Sequence, residues 1–310
     1  MHLAGVSPRA FLRLAQTAVG LVVLNIVTGA AVRLTDSGLG CPDWPTCSRH
    51  HLTPVLAFHP VMEFANRLVV VVLCVGAGAV AVAAWRRVPR RRDLLWLSGG
   101  LLGGVVAEAV LGGVVVYTKL NPYVVMTHFM VGIALLTDAT VLAARAGRAP
   151  GRAGPAKVGR GALLLSRVTL GLLAVALAAG TATTGAGPHA GGKGAKRIPV
   201  ALADMARVHS GIVLVVVGLT VVVLGLLARG AAPPSVLERA RLMLGAMVAQ
   251  GVIGYAQYFS HLPALLVGVH VLGATVVWVA ALWFVDGLLQ RGAEDLAGTA
   301  PAATTVLVSR

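Results

Sequence analysis

Residues 125–136, V-M-T-H-F-M-V-G-I-A-L-L, closely match residues 266–277, L-V-G-V-H-V-L-G-A-T-V-V. Each stretch carries one histidine, His128 in the first and His270 in the second. Upstream, E-A-V-L-G-G from Glu108 matches Q-G-V-I-G-Y from Gln250, at the same spacing before the histidine. The sequence therefore predicts two repeated units, each with an apolar segment that carries a histidine.

The composition places both units in a membrane. The chain has 310 residues, of which 57% are hydrophobic and 12% charged, whereas a soluble domain has roughly 25% charged residues. Eight apolar stretches approach the ~20 residues that a helix needs to cross a bilayer. They lie at about 11–33, 61–85, 94–117, 123–144, 162–184, 206–228, 241–259 and 264–289. We predict an all-α polytopic membrane protein whose eight transmembrane helices form two repeated four-helix bundles.

Domain boundaries follow from the repeat. Residues 1–145 form the N-terminal half, residues 146–161 a linker rich in Gly, Pro and Arg, and residues 162–290 the C-terminal half. The small and polar tail, 291–310, is expected to be disordered. Because both halves start from the same side of the membrane, we expect parallel repeats about an axis along the membrane normal.

The net charge of +15 is a signal of topology. Most lysines and arginines lie in the N-terminus, in the even-numbered loops and in the tail, which the positive-inside rule places in the cytoplasm. We therefore expect a multi-pass protein of the cytoplasmic membrane with both termini in the cytoplasm. The lipid bilayer accounts for the apolar surface, and no nucleic-acid partner is expected.

Two histidines, His209 and His270, lie near the outer ends of the sixth and eighth predicted helices. A histidine inside a bilayer is a functional hypothesis by default, although a hydrogen-bonded polar residue between helices is the simpler interpretation. Two imidazoles from different helices can ligate a haem iron from both faces. Zinc is disfavoured, because no cysteine or carboxylate completes four ligands at that depth. We interpret the pair as haem ligands, with His128 in the equivalent position of the first half.

The N-terminal half has Asn66 where the second half has His209, and Glu63 shares the helical face of Asn66. Two interpretations of Glu63 stay open. It is either a membrane-interface carboxylate paired with Arg67, or a buried acid–base group beside a site with one open coordination position. Glu108 is a second intramembrane acid, and we expect it to be protonated or hydrogen-bonded.

The loop G-L-G-C-P-D-W-P-T-C, residues 38–47, follows the first predicted helix and is therefore extracytoplasmic. That compartment permits disulfides. A cross-link between Cys41 and Cys47 would act either as a structural staple or as a redox-sensitive lid. A zinc site that adds His50 and His51 resembles no common ligand spacing.

Four sequence motifs, taken together with the histidine positions and Asn66, form a recognisable pattern. They are T-G-A-A-V-R-L-T-D-S-G-L-G-C-P-D-W-P-T-C at 28–47, E-F-A-N-R at 63–67, V-L-G-G at 110–113 and T-G-A-G-P-H-A-G at 184–191. Together they resemble the haem A synthases, membrane enzymes that convert haem O into haem A for cytochrome c oxidase. The resemblance covers about residues 11–290.

This resemblance implies a haem b cofactor between His209 and His270, and a substrate haem O near His128 and Glu63. The implied reaction oxidises a ring methyl of haem O to a formyl group through successive hydroxylations. It also implies that Cys41 and Cys47 are a disulfide-capable pair. Haem O synthase and cytochrome c oxidase assembly proteins are the partners that such an activity suggests.

One position departs from the resemblance, because the family pattern usually has histidine where this chain has Asn66. His128 alone would leave the substrate iron five-coordinate. His59 could replace the missing ligand, but Pro60 makes a continuous helix through His59 doubtful. We therefore favour an open site. A di-haem electron-transfer cytochrome and a haem-handling assembly factor without catalysis are the rival functions.

Three further residues are candidates for contact with haem. Arg33 and Arg67 flank the outer helix ends, where haem propionates would point, and arginine suits carboxylates through its bidentate donors. Both could equally extend to lipid headgroups. His189, in the fifth loop, either contacts a haem or shapes a glycine-rich turn.

Overall fold

The computed structural model describes residues 5–48, 53–148, 158–192 and 194–289. Across these ranges the chain forms eight α-helices, and all eight are long and apolar enough to cross a membrane. The prediction of an all-α, multi-pass membrane protein is thereby confirmed. The helices are α1 Pro8–Leu34, α2 Phe58–Arg86, α3 Arg92–Tyr117, α4 Pro122–Ala146, α5 Arg160–Ala186, α6 Leu202–Arg229, α7 Pro234–Phe259 and α8 Ala264–Leu288.

Several helices begin a few residues earlier than hydropathy predicts, and proline explains the starts of α7 and α2. α7 starts at Pro234 instead of residue 241, because a proline is favourable at the first helical position even where the following residues are polar. α2 starts at Phe58, so Pro60 lies in the first turn, where its missing N–H has no intrahelical role. The expectation that Pro60 prevents a continuous helix through His59 was wrong.

Helix packing follows the sequence repeat. In the N-terminal half α1 packs on α2, α2 on α3, α3 on α4 and α4 on α1, and α5 to α8 repeat this ring. The halves meet through α1 with α8, α4 with α5, and α4 with α8. A two-fold axis between the halves would exchange the first two contacts and map the third onto itself. The contacts therefore agree with two four-helix bundles related as parallel repeats.

Several buried hydroxyl groups in the helices donate to carbonyls of the preceding turn. Thr140 donates to the carbonyl of Leu136, and Thr220 to that of Val216. These two hydroxyl groups therefore need no water within the bilayer. Trp278 on α8 donates its indole N–H to Thr137 on α4 across the interface between the halves, at 2.9 Å.

The two ends of the bundle differ in chemistry. At one end Asp286 of α8 contacts both Arg148, just after α4, and Arg239 of α7, and so joins the two halves. Arg91 adds hydrogen bonds to the carbonyls of Arg145 and Arg148. The opposite end carries the cysteine loop and the histidines. The candidate site therefore lies at the end remote from this arginine cluster.

Candidate functional site

His209 and His270 face each other in the C-terminal bundle. Their ring centroids are 6.4 Å apart and the ring planes cross at 78°. Nδ1 of His209 lies 2.9 Å from the carbonyl oxygen of Ala176 on α5. Because a carbonyl only accepts hydrogen bonds, Nδ1 carries the proton, and Nε2 keeps the lone pair that a metal needs. α5 therefore sets both the tautomer and the orientation of this ring.

The separation of the two rings fits an iron between them. A metal-bound imidazole nitrogen lies about 2 Å from its metal and the ring centre roughly 1 Å further, so two axial imidazoles place their centroids about 6 Å apart. Among the described residues no third histidine, cysteine or carboxylate joins the pair. A haem, which takes two axial ligands from the protein, therefore fits the pair His209 and His270.

Glycines make room for the histidine rings. A Cβ added at Gly180 would lie 3.1 Å from Cε1 of His209, and one at Gly254 would lie 3.0 Å from Cε1 of His270. Gly112 occupies the repeat position of Gly254, and a Cβ added there would lie 3.7 Å from Cε1 of His128. We missed these glycines in the sequence, although their matching positions in the repeat were a usable signal.

The equivalent site in the N-terminal half has different groups. Nδ1 of His128 lies 3.3 Å from Oε1 of Glu108, at an angle outside hydrogen-bond geometry. Asn66 accepts a hydrogen bond from the Thr28 hydroxyl of α1 at 2.8 Å. The asparagine is thus held by its neighbour and offers no ring nitrogen. His59, the substitute ligand considered above, places Nδ1 3.1 Å from the hydroxyl of Ser37.

Glu63 is buried at the outer end of α2, with 5% of its surface exposed. Its Oε1 accepts from Arg67 at 2.5 Å, and its Oε2 accepts from the backbone N–H of Cys41 at 2.8 Å. The structure therefore pairs Glu63 with Arg67 and also fixes the carboxylate to the cysteine loop. A role of Glu63 in proton transfer is compatible with this pairing and stays a prediction.

Arg67 holds the cysteine loop in place. Its guanidinium donates to the carbonyls of Asp43 and Thr46, each at 2.8 Å. The loop is closed by a disulfide between Cys41 and Cys47, with the Cα atoms 4.4 Å apart, which confirms the expected pairing. The disulfide uses both thiols and so excludes the zinc site that was considered on them. His50 and His51 lie outside the described residues.

Trp44, at the centre of the same loop, explains the V-L-G-G motif. A Cβ at Gly113 would lie 2.7 Å from Cδ2 of the Trp44 ring, so only glycine admits the indole here. Tyr117 donates its hydroxyl to the carbonyl of Trp44 at 2.6 Å. The two glycines of the motif thus serve different neighbours, His128 for Gly112 and Trp44 for Gly113. The loop covers the end of the N-terminal bundle beside His128.

Arg33 and His189 join the outer loops. Nε of Arg33 donates to the carbonyl of His189 at 2.8 Å, and Nε2 of His189 lies 2.8 Å from the carbonyl of Leu262. Gly38 donates its backbone N–H to the carbonyl of Gly191 at 2.9 Å. The segments after α1, α5 and α7 are thereby tied together. Contact of Arg33, Arg67 or His189 with haem stays a prediction.

Comparison with known proteins finds relatives that are similar over part of the chain. Over 142 residues the chain is 35% identical to the "Heme A synthase" of Geobacillus kaustophilus (strain HTA426), an alignment that covers 44% of each chain. The "Heme A synthase" of Geobacillus thermodenitrificans is 35% identical over 136 residues, 42% of each chain. That of Shewanella oneidensis is 30% identical over 135 residues, 37% of this chain and 39% of the relative. The alignments span less than half the length of these curated relatives.

A family profile described as "COX15-CtaA: Cytochrome oxidase assembly protein" matches residues 13–59 and 55–191. The matched part contains the disulfide loop, Glu63, Asn66 and His128, and it ends before His209. It covers more than half of the chain. The chain belongs to the COX15-CtaA family of cytochrome oxidase assembly proteins.

Proposed function

We propose that this protein is a haem A synthase, which oxidises a ring methyl of haem O to a formyl group. The observation that carries the proposal is the pair His209 and His270, whose 6.4 Å centroid separation suits one haem. A repeat-related site around His128 has no second histidine in the position of His209. The names of the curated relatives support the same activity.

His209 and His270 would hold a haem b cofactor. When bound, that haem would supply one-electron redox chemistry. The chain contributes the orientation of the ligands, because the carbonyl of Ala176 directs Nε2 of His209 away from α5. Gly180 and Gly254 let both rings stand between the helices without a clash. This half would be suited to electron transfer, since both histidines would be used to hold the cofactor.

His128 would bind the substrate haem O, with Asn66 in the position of the missing second ligand. Thr28 holds the side chain of Asn66. A haem ligated by protein on one face only is suited to oxidative chemistry, because the other face stays accessible. The two sites would thus divide the work between electron transfer and oxidation.

Glu63 would position the reacting methyl or move a proton beside it. Arg67 and the N–H of Cys41 fix both carboxylate oxygens, so the group cannot rotate freely. The loop that carries Trp44 covers this end of the bundle and would limit the access of water during oxidation. Glu63 and the cysteine loop are therefore held together and would act together at the substrate site.

The charge pattern supports an orientation with both termini in the cytoplasm and both haem sites near the extracytoplasmic side. A disulfide in the first loop suits that side of a bacterial cell membrane. Haem O synthase and cytochrome c oxidase assembly proteins are the proposed partners. Because the described loops are short, such partners would dock mainly within the bilayer.

The test is co-expression with a haem O synthase in a host that makes no haem A, followed by chromatography of the extracted haems. We expect haem A in cells with the wild-type chain and its loss with Glu63→Ala. Glu238→Ala, at an exposed glutamate of α7, is the matched control and should keep the product. Unchanged haem O in cells that accumulate haem-loaded protein would contradict the proposal and favour an electron carrier or a haem transporter.

A further inference from the structure

Glu108, in the interior of α3, has no role in the function proposed above. Only 6% of its surface is exposed, and its Oε1 lies 3.3 Å from Nδ1 of His128 on α4. Within the described part of the chain, Oε2 of Glu108 and Nδ1 of His128 both lack a hydrogen-bond partner. Burial of unpaired polar groups is costly. The carboxylate of Glu108 and the ring of His128 are therefore suited to form a hydrogen bond with each other.

The surrounding backbone leaves space for this approach. A Cβ at Gly132, one turn beyond His128 on α4, would lie 3.1 Å from Oε1 of Glu108. A Cβ at Gly112, one turn beyond Glu108 on α3, would lie 3.7 Å from Cε1 of His128. Glycines on both helices thus allow the carboxylate and the ring to meet between α3 and α4.

The C-terminal half has a different arrangement at the same repeat position. Gln250 replaces Glu108, and its Nε2 donates to the backbone carbonyl of His270 at 2.7 Å. The amide nitrogen thus binds the backbone of the ligand, while Oε1 of Gln250 and Nδ1 of His270 lack a hydrogen-bond partner among the described residues. The two sites therefore differ in the kind of acceptor beside the ring, because a carboxylate at position 108 is a stronger acceptor than the neutral amide at position 250.

We propose that Glu108 is a positioning residue for His128: its carboxylate accepts the Nδ1–H of the ring and directs Nε2 to the iron of the substrate haem. This inference rests on the proposed function, in which His128 binds haem O. A ligated histidine commonly donates its other N–H to a carboxylate or carbonyl, which fixes the tautomer and makes the ligand more basic. Glu108 thereby gives the substrate site a more strongly donating axial ligand than Gln250 gives the cofactor site.

The test measures the iron–histidine bond directly. Wild type, Glu108→Gln and Glu108→Asp are purified, loaded with haem O, reduced, and compared by the iron–histidine stretching frequency in resonance Raman spectra. We expect a lower frequency in Glu108→Gln, partial rescue in Glu108→Asp, and roughly tenfold faster loss of haem O in Glu108→Gln. The midpoint potential of the same haem should rise in Glu108→Gln, because a less basic ligand stabilises the ferric state less.

Asp138→Asn is the matched control. Asp138, on α4, is also an intramembrane carboxylate, and one of its oxygens lacks a partner among the described residues. It lies ten residues, or about 15 Å, beyond His128 along the helix. Its substitution should leave the frequency unchanged. The Soret band of the haem held by His209 and His270 reports whether each variant is folded.

An unchanged frequency in a folded, haem-loaded Glu108→Gln would overturn the inference. If that variant does not accumulate, Glu108→Ala takes its place, and an unchanged frequency in Glu108→Ala has the same consequence. His128→Ala distinguishes a failure of the proposed substrate site from a failure of the proposed role of Glu108. If haem O binds equally well without His128, the proposed substrate site is wrong, whereas loss of haem O in His128→Ala with an unchanged frequency in Glu108→Gln refutes only the role of Glu108.

Discussion

The two halves of this protein share a helical scaffold but differ in the groups that it carries. In the C-terminal half His209 and His270 face each other, and the neutral Gln250 occupies the repeat position of Glu108. In the N-terminal half Asn66 stands where His209 would be, and Glu108 approaches His128. Repetition of four helices therefore fixed the positions of the two sites, while single substitutions gave them different chemistry.

The loops over the two sites differ as well. The first loop is cross-linked by its disulfide and held on Glu63 and Arg67. Its counterpart between α5 and α6 has no cysteine and is tied by the hydrogen bonds of His189 and Gly191. The cross-linked loop thus lies over the half that we propose to bind the substrate.

The largest effect should come from the cofactor ligands. His270→Ala or His209→Ala should abolish haem b binding in the C-terminal half, because one imidazole cannot hold the haem from both faces. Haem content per purified protein measures this loss. His261→Ala, at an exposed histidine just before α8, is the control and should retain full haem content. Full haem content in the double variant His209→Ala/His270→Ala would refute the assignment.

Asn66→His should make the two halves alike. The new imidazole would complete the axial ligands of the substrate haem, so the iron becomes six-coordinate and no longer binds carbon monoxide. Carbon monoxide difference spectra of the haem O-loaded protein measure the change, with wild type expected to bind the gas. If both proteins are equally six-coordinate and closed to carbon monoxide, the difference between the halves does not lie at residue 66.

The ion pairs at the starts of α2 and α6 offer a matched comparison of stability. Arg67→Ala should lower the free energy of unfolding by about 3 kcal/mol, because it leaves buried Glu63 and several loop carbonyls without their donor. Arg207→Ala removes an exposed pair with Asp204 and should cost less than about 1 kcal/mol. Thermal unfolding in detergent gives both values. Equal losses would show that the loop does not depend on Arg67.

Removal of the disulfide should have a smaller effect than Arg67→Ala. The bridge joins residues only six apart in sequence, so Cys41→Ser/Cys47→Ser should lower the free energy of unfolding by about 2 kcal/mol. Arg67 and Trp44 should still hold the loop, and the yield of haem A should fall less than in Arg67→Ala. A large loss of haem A with unchanged stability would instead indicate a redox-sensitive lid.

Much of the fold could be predicted from local composition. The eight apolar stretches and the repeat located all eight helices, and the largest error lay at the start of α7, at Pro234, where hydropathy carries little information. The candidate ligands were equally visible, because a histidine or an acid is conspicuous in an apolar segment. The glycines opposite the rings, Gly180 and Gly254, were missed because their role depends on which helix lies across from them.

The sequence by itself determined the membrane class, the helix count, the duplication and the loss of a histidine at Asn66, since each is a property of residue type and order along the chain. Only the tertiary structure decided that Arg67 binds the loop carbonyls, that Trp44 rests on Gly113 and that Glu108 meets His128. These contacts join residues on separate helices and loops. They depend on the rotation and spacing of packed helices, which no local pattern of hydropathy specifies.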